Sequence, residues 1–137
     1  MNSDETMKEI LLSAKTIASV GLSSNPEKES YGVAQYLKNQ GYHVIPVNPT
    51  ADEILGEKSY PDLESVPETI DVVQVFRKPE DVPPVVDGAI KVGAKTVWMQ
   101  EGITNAAAAQ TARAAGLQVV MDACMREAHK RLIASSQ

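Results

Sequence analysis

The sequence predicts an α/β protein: a doubly wound, three-layer sheet of five parallel strands with helices on both faces. Two observations carry this expectation. Five short apolar runs rich in β-branched residues recur along the chain, and their faces do not alternate between apolar and polar. Strands covered on both sides have that character. Helical patterns lie between most of the runs, and strand–helix alternation at this spacing gives right-handed βαβ units. The predicted order across the sheet is 3-2-1-4-5, which puts the reversal of strand order, and the crevice that binds ligands in such sheets, between strands 1 and 4.

The elements follow in order. A helix is predicted over about 4–14, then a strand over 16–22 (TIASVGL). Segment 30–40 places Val33, Ala34 and Leu37 on one helical face and stops at Gly41, a good C-terminal cap. The second strand is 43–47 (HVIPV). Residues 48–70 carry Pro49, Gly56, Pro61 and Pro67 and read as a loop-rich crossover, with room for a short helix at 62–65. The third strand is 72–76. Val82, Val85, Val86, Ala89 and Ile90 then form an amphipathic helix over 80–92, with Pro83 and Pro84 tolerable only in its first turn. After a fourth strand at 95–99, segment 105–115 (NAAAAQTARAA) is a strong helix former closed by Gly116. A fifth strand at 117–121 and a helix over 124–134 complete the chain.

The 137 residues suit one domain spanning 1–137, and no apolar run approaches the ~20 residues that cross a bilayer. The N-terminus, MNSDETMKEI, lacks the layout of a secretory signal. A single cysteine, Cys124, cannot form an internal disulfide, so a reducing cytoplasm is the expected location. The net charge of −5 argues against nucleic acid or a membrane surface as partner, since both are polyanions. A small anionic ligand remains compatible, provided local donors meet it.

The loops that follow the strands are therefore the places to look: 21–30, 48–50, 76–79 and 99–104. Gly21 allows close backbone approach to a ligand, the next helix offers unpaired N–H groups, and Ser23 and Ser24 add hydroxyls. Together they read as a phosphate cradle, although a structural turn has the same composition. The G-x-G-x-x-G fingerprint of dinucleotide sites is missing, for its positions hold Gly21, Ser23 and Pro26. The second strand ends Val47-Asn48-Pro49, without the acid that would hold a ribose diol. Lys28, Arg77 and Lys78 are the cations near the crevice, readable as phosphate partners or as solvated surface charges. Gly102, before a helix capped by Thr104 or Asn105, offers a second set of backbone donors. Glu101 can accept from a sugar or amide, or balance Arg77.

Nothing assembles a nucleophile, a base and an orienting partner. His43 opens a strand away from the rim, and His129 falls on the stripe Met125, Ala128, His129, Leu132 as a packing residue. Cys124 sits at a potential helix start without an identifiable base, and a buried inert thiol is the favoured reading. Two histidines and one cysteine provide no metal-ligand spacing. Trp98 is expected to pack between sheet and helix. On these grounds the chain is expected not to be an enzyme.

The stretches VGLSSNPEKESYGVAQYL (20–37), GYHVIPVNP (41–49), ILGEKSYPDLESVPETIDVV (54–73), VFRKPEDVP (75–83), GAKTVWMQEGITN (93–105) and AAGLQVVMDACM (114–125) form a set. In order and spacing the chain resembles the small stand-alone coenzyme A-binding proteins, whose Rossmann-like fold is related to the N-terminal domain of the succinyl-CoA synthetase α-subunit. The resemblance implies coenzyme A, or an acyl-CoA, as ligand. It implies the pyrophosphate at Gly21, Ser23 and Ser24, and the adenosine 3′-phosphate end near Lys28, Asn48 and Pro49. The pantetheine arm would then pass Val75, Phe76, Arg77 and the turn Met99, Gln100, Glu101, Gly102. The synthetase's phosphorylated histidine belongs to a second domain, so ligase chemistry is not implied. The chain departs from the family at Gln74, Ala123 and Ala128, where an acid, an arginine and a glutamate are common. The competing readings are an NAD(P)- or nucleotide-dependent enzyme, an acyl-transfer enzyme using Cys124 or His129, and a scaffold that has lost its ligand. A homodimer or a protein partner is left open.

Overall fold

A computed structural model describes residues 2–134. Five long parallel strands, β1 (Thr16–Val20), β2 (His43–Val47), β5 (Val72–Val75), β6 (Thr96–Met99) and β7 (Gln118–Val120), form one sheet in the spatial order β2-β1-β5-β6-β7. A two-residue-per-strand hairpin, β3 (Glu53–Ile54) with β4 (Glu57–Lys58), lies in the crossover between β2 and β5. The α/β fold with a five-stranded parallel sheet is as the sequence predicts.

The strand order is not. Counting the long strands along the chain, the sheet runs 2-1-3-4-5 rather than 3-2-1-4-5. The physical reason is Pro46, inside β2 and paired in register with Ser19 of β1. Proline has no N–H to give a second neighbour, so a strand containing it belongs at a sheet edge. The outer side of β2 is covered instead by the crossover: Tyr60 donates its N–H to the Pro46 carbonyl at 3.0 Å, and Asn48 donates to that of Tyr60 at 2.9 Å.

Helices cover both faces. On one, α1 (Asp4–Ser13), α2 (Glu29–Asn39) and α5 (Met125–Leu132) bury Ile10, Leu11, Val33, Leu37 and Met125 against Ile17, Val44, Val72 and Trp98. On the other, α3 (Val82–Lys91) and α4 (Ala106–Ala114) pack Val82, Val86, Ala89, Ala108 and Ala112 on Val73, Val75, Val97 and Met99. The alanine-rich α4 allows close approach to the sheet. Trp98 is fully buried and its indole N–H donates to the Ala123 carbonyl at 2.8 Å. A 3-10 turn, Leu63–Ser65, fills the place of the predicted short helix, capped by Asp62. The β3–β4 hairpin turns through Leu55 (φ 56°) and Gly56 (φ 76°), both left-handed, and leucine gives no sequence signal for such a turn.

The docking of α5 carries a titratable group. His129 is buried, its Nδ1 lies 2.8 Å from the Tyr36 hydroxyl, and the Tyr36 and Tyr42 rings meet it edge-on. Burial lowers its pKa from the ordinary 6.5. An unfolded chain takes up the proton as the pH falls through that value while the folded one resists, so unfolding gains protons and stability falls. We expect the urea midpoint to drop between pH 7.5 and pH 5.5, and His129→Gln to remove that part of the drop. An identical pH profile in the variant would assign the dependence elsewhere. His43, by contrast, stands at the amino end of β2, paired with Glu68 at 2.9 Å and Glu57 at 3.4 Å.

Candidate functional site

The chain leaves β1 to one side, for β2, and leaves β2 for β5 on the other side of β1. The reversal therefore lies between β1 and β5, not between the first and fourth strands. A crevice opens at the carboxyl ends there.

Gly21 turns the chain directly after β1 with φ 88°. Its N–H donates to the Val47 carbonyl at 3.0 Å. A Cβ added to it would sit 2.3 Å from the Phe76 carbonyl oxygen. The close approach that requires glycine is thus to the end of β5, not to a ligand. Leu22 is fully buried and anchors the turn. Beyond it the loop holds itself: Ser23 donates its N–H to Ser30 Oγ, Asn25 to Ser23 Oγ and Glu27 to Asn25 Oδ1, each at 3.0 Å. The Ser23 amide is accordingly engaged inside the protein. What faces outward is half-buried Ser23, exposed Ser24 and the amino end of α2, where Lys28 occupies the N-cap.

Asn48 also has a role other than the one predicted. Its Nδ2 donates to the Leu22 carbonyl at 2.9 Å, and its Oδ1 accepts from the Thr50 N–H at 2.8 Å and hydroxyl at 2.7 Å. Both ends of the carboxamide are used, so Asn48 clamps the post-β1 and post-β2 loops together, with one N–H of Nδ2 left over. Pro49 is exposed on the rim beside it.

At the ends of β5 and β6 the predicted residues separate into two groups. Phe76 is half-buried, while Arg77 and Glu101 are exposed. Val75 and Met99 are fully buried in the core under α3 and α4 and present no surface to a ligand. Gln100 is only 3% exposed; its Oε1 accepts from the Met125 N–H and from Gln74 Nε2, both at 3.0 Å. The Gly102 N–H, expected as a free donor, is taken by Asp122 Oδ1 at 2.6 Å. Asn105, rather than Thr104, caps α4 by accepting from Ala108.

Two clefts flank the turn. One, of about 280 Å³, is lined by Glu29, Phe76, Gln100, Glu101, Ile103 and Cys124. The other, of about 300 Å³, has Val20, Val47 and Val85 as apolar lining with Arg77, Asp62 and Asp81 among its polar groups. The Gly21–Phe76 contact forms the saddle between them, since Phe76 lines one cleft and Arg77 the other. Cys124, at the N-cap of α5, is buried. Among the described residues no three His, Cys, Asp or Glu side chains gather as a metal site, and no helix is long and apolar enough to cross a membrane.

Sequence reasoning missed Ser30, Asp122 and Arg126, which hold the site's loops or pair with its rim: Asp122 and Arg126 act through contacts 20 and 97 residues away, and Ser30 through a loop that folds back on the start of α2. Gln74 was visible only as a departure. It is fully buried, and its Oε1 lacks a hydrogen-bond partner, as does Ser19 Oγ on the adjoining strand in the same register.

Comparison with known proteins gives a consistent picture. The family model described as "CoA binding domain" matches residues 15–130. The Bacillus subtilis protein YneT is 42% identical over 123 residues, 90% of this chain and 91% of that one. The solved structure of a protein from Pyrococcus horikoshii OT3 superposes with a TM-score of 0.93 at 44% identity, covering 96% of this chain and 93% of the other. An ADP-forming acetate–CoA ligase of Archaeoglobus fulgidus is 31% identical over 83 residues, 59% of this chain but only 12% of the ligase.

Proposed function

The chain belongs to the CoA-binding domain family, and from that membership we propose that it binds coenzyme A or an acyl-CoA across the carboxyl ends of its strands without turning it over. The observation that carries the reading is the outward-facing Ser23–Ser24 turn ahead of α2, flanked in the chain by Val20, which lines one cleft, and Glu29, which lines the other. A diphosphate suits the turn, because hydroxyl donors and the positive end of the helix dipole meet it there. The flexible pantetheine arm and the adenosine suit the two clefts. Arg77 and Lys28, both exposed on the rim, can meet the remaining phosphate. The distant ligase, whose name states that it joins acetate to CoA, supports the same ligand class. A nicotinamide dinucleotide is disfavoured because β2 is followed by Asn48, not by an acid that would hold a ribose diol.

Thermal unfolding with coenzyme A, acetyl-CoA, NAD, NADP and ATP tests the proposal. A ligand present at a hundredfold excess over its Kd stabilises the native state by about 2.7 kcal/mol. Coenzyme A or acetyl-CoA should produce such a shift and the other three should not. A shift with NAD and none with coenzyme A would reverse the assignment. Acetyl-CoA incubated with the protein should be recovered intact by chromatography. Its consumption would favour the second reading, acyl transfer through Cys124, which draws on that residue's position in the smaller cleft. In that event Cys124→Ser should abolish the consumption.

A further inference from the structure

Beside the turn that carries the proposed function lies an ion pair that joins α2 to α5. Glu29, the first residue of α2, lines the smaller cleft, and its Oε1 is 2.8 Å from Arg126 Nη2 on α5. The Arg126 side chain is 25% exposed, and its Nε donates to Glu127 at 2.9 Å. The guanidinium rests over Gly32: a Cβ there would come within 3.4 Å of Nη1, so the absent side chain makes room for it on the helix surface. The residue after Glu29, Ser30, holds the Ser23 amide at 3.0 Å. Arg126, Glu29 and the anion-facing turn are therefore consecutive neighbours.

Charge makes this arrangement consequential. The smaller cleft has two carboxylates on its lining, Glu29 and Glu101, and no cationic side chain. A diphosphate seated on the adjoining turn lies beside Glu29, whose neighbour Ser30 holds the Ser23 amide, and meets its repulsion unless a cation is released to it. Arg126 carries five N–H donors in a planar fork suited to phosphate oxygens, and its Nη2 is held by Glu29.

We propose that Arg126 is a phosphate-binding residue held in reserve by Glu29, whose carboxylate the ligand diphosphate displaces on binding. This rests on the coenzyme A reading and adds a specificity device to it: a phosphate-free fragment cannot displace Glu29 and gains nothing from Arg126. Glu29 thereby sets how strongly phosphate content is rewarded.

A double-mutant cycle read by calorimetry, with coenzyme A and phosphate-free pantetheine as probes, tests the exchange. Glu29→Gln should tighten coenzyme A binding about 5-fold and Arg126→Gln should weaken it about 10-fold, each with pantetheine unchanged. In the Arg126→Gln background, Glu29→Gln should give less than a 2-fold change. A gain that persists there would mean that Glu29 acts by simple repulsion, and would overturn the exchange. So would unaltered coenzyme A affinity in Arg126→Gln, or equal losses for both probes. Ligand-free melting of each variant checks folding, and Arg126→Lys, which keeps the charge but loses the fork, should fall between wild type and Arg126→Gln. Coenzyme A failing to bind the wild-type protein would remove the underlying reading and this one together, whereas wild-type binding with a flat cycle removes this one alone.

Discussion

Replacing Gly21 by alanine should destabilise the protein by about 3–5 kcal/mol, and Gly21→Val should leave little folded material. Two costs combine. The backbone at φ 88° is strained for any L side chain, and the new Cβ would lie 2.3 Å from the Phe76 carbonyl oxygen. That oxygen has little freedom to retreat, because the Phe76 N–H is itself bonded to the Val20 carbonyl at 2.9 Å. Moving it separates β1 from β5, the two strands whose parting forms the crevice. Since domains of this kind have stabilities of roughly 5–15 kcal/mol, the alanine variant should fold but with a much lower urea midpoint and an unchanged m-value. A midpoint equal to that of the parent would show that the turn relaxes freely.

That position illustrates what the sequence made legible and what it did not. A glycine after the first strand announced a special turn, and the turn is there. Its neighbour across the sheet was invisible, so the requirement for glycine was attributed to a ligand rather than to the Phe76 carbonyl. The same limit explains Val75 and Met99. In strands buried on both sides no alternation marks which residues face the rim, and these two point into the core under α3 and α4. Asn48 and Gly102 looked like available donors because their partners, Leu22 and Asp122, lie 26 and 20 residues away. The strand order was a different kind of error. Both orders satisfy right-handed crossovers, but Pro46 in the second strand was a readable sign of an edge, and it decides between them. The elements themselves were legible because apolar spacing, prolines and terminal glycines agreed along the chain. The β3–β4 hairpin, built on a left-handed leucine, breaks that agreement.

Converting Ser23 and Ser24 together to glutamate should weaken coenzyme A binding roughly 100-fold while leaving the fold intact. The estimate follows from charge: two carboxylates about 5 Å from a diphosphate, at the near-water dielectric of an exposed turn, oppose binding by about 3 kcal/mol in total. Ser24 is exposed, so its replacement meets no packed neighbour. Ser23 is half-buried and its Oγ accepts from the Asn25 N–H, a bond that a longer carboxylate also can supply; the cost to stability should stay near 1 kcal/mol. The loss of affinity should shrink as ionic strength rises, because screening shortens the reach of exposed charges. Pantetheine, with no phosphate, should bind the variant and the parent alike. Equal coenzyme A affinity in the two proteins, at low salt and with matched melting temperatures, would move the diphosphate off this turn. The turn faces solvent, follows the first strand and runs from Val20 of one cleft towards Glu29 of the other, so a ligand bound elsewhere would need a different part of the sheet edge to supply its donors.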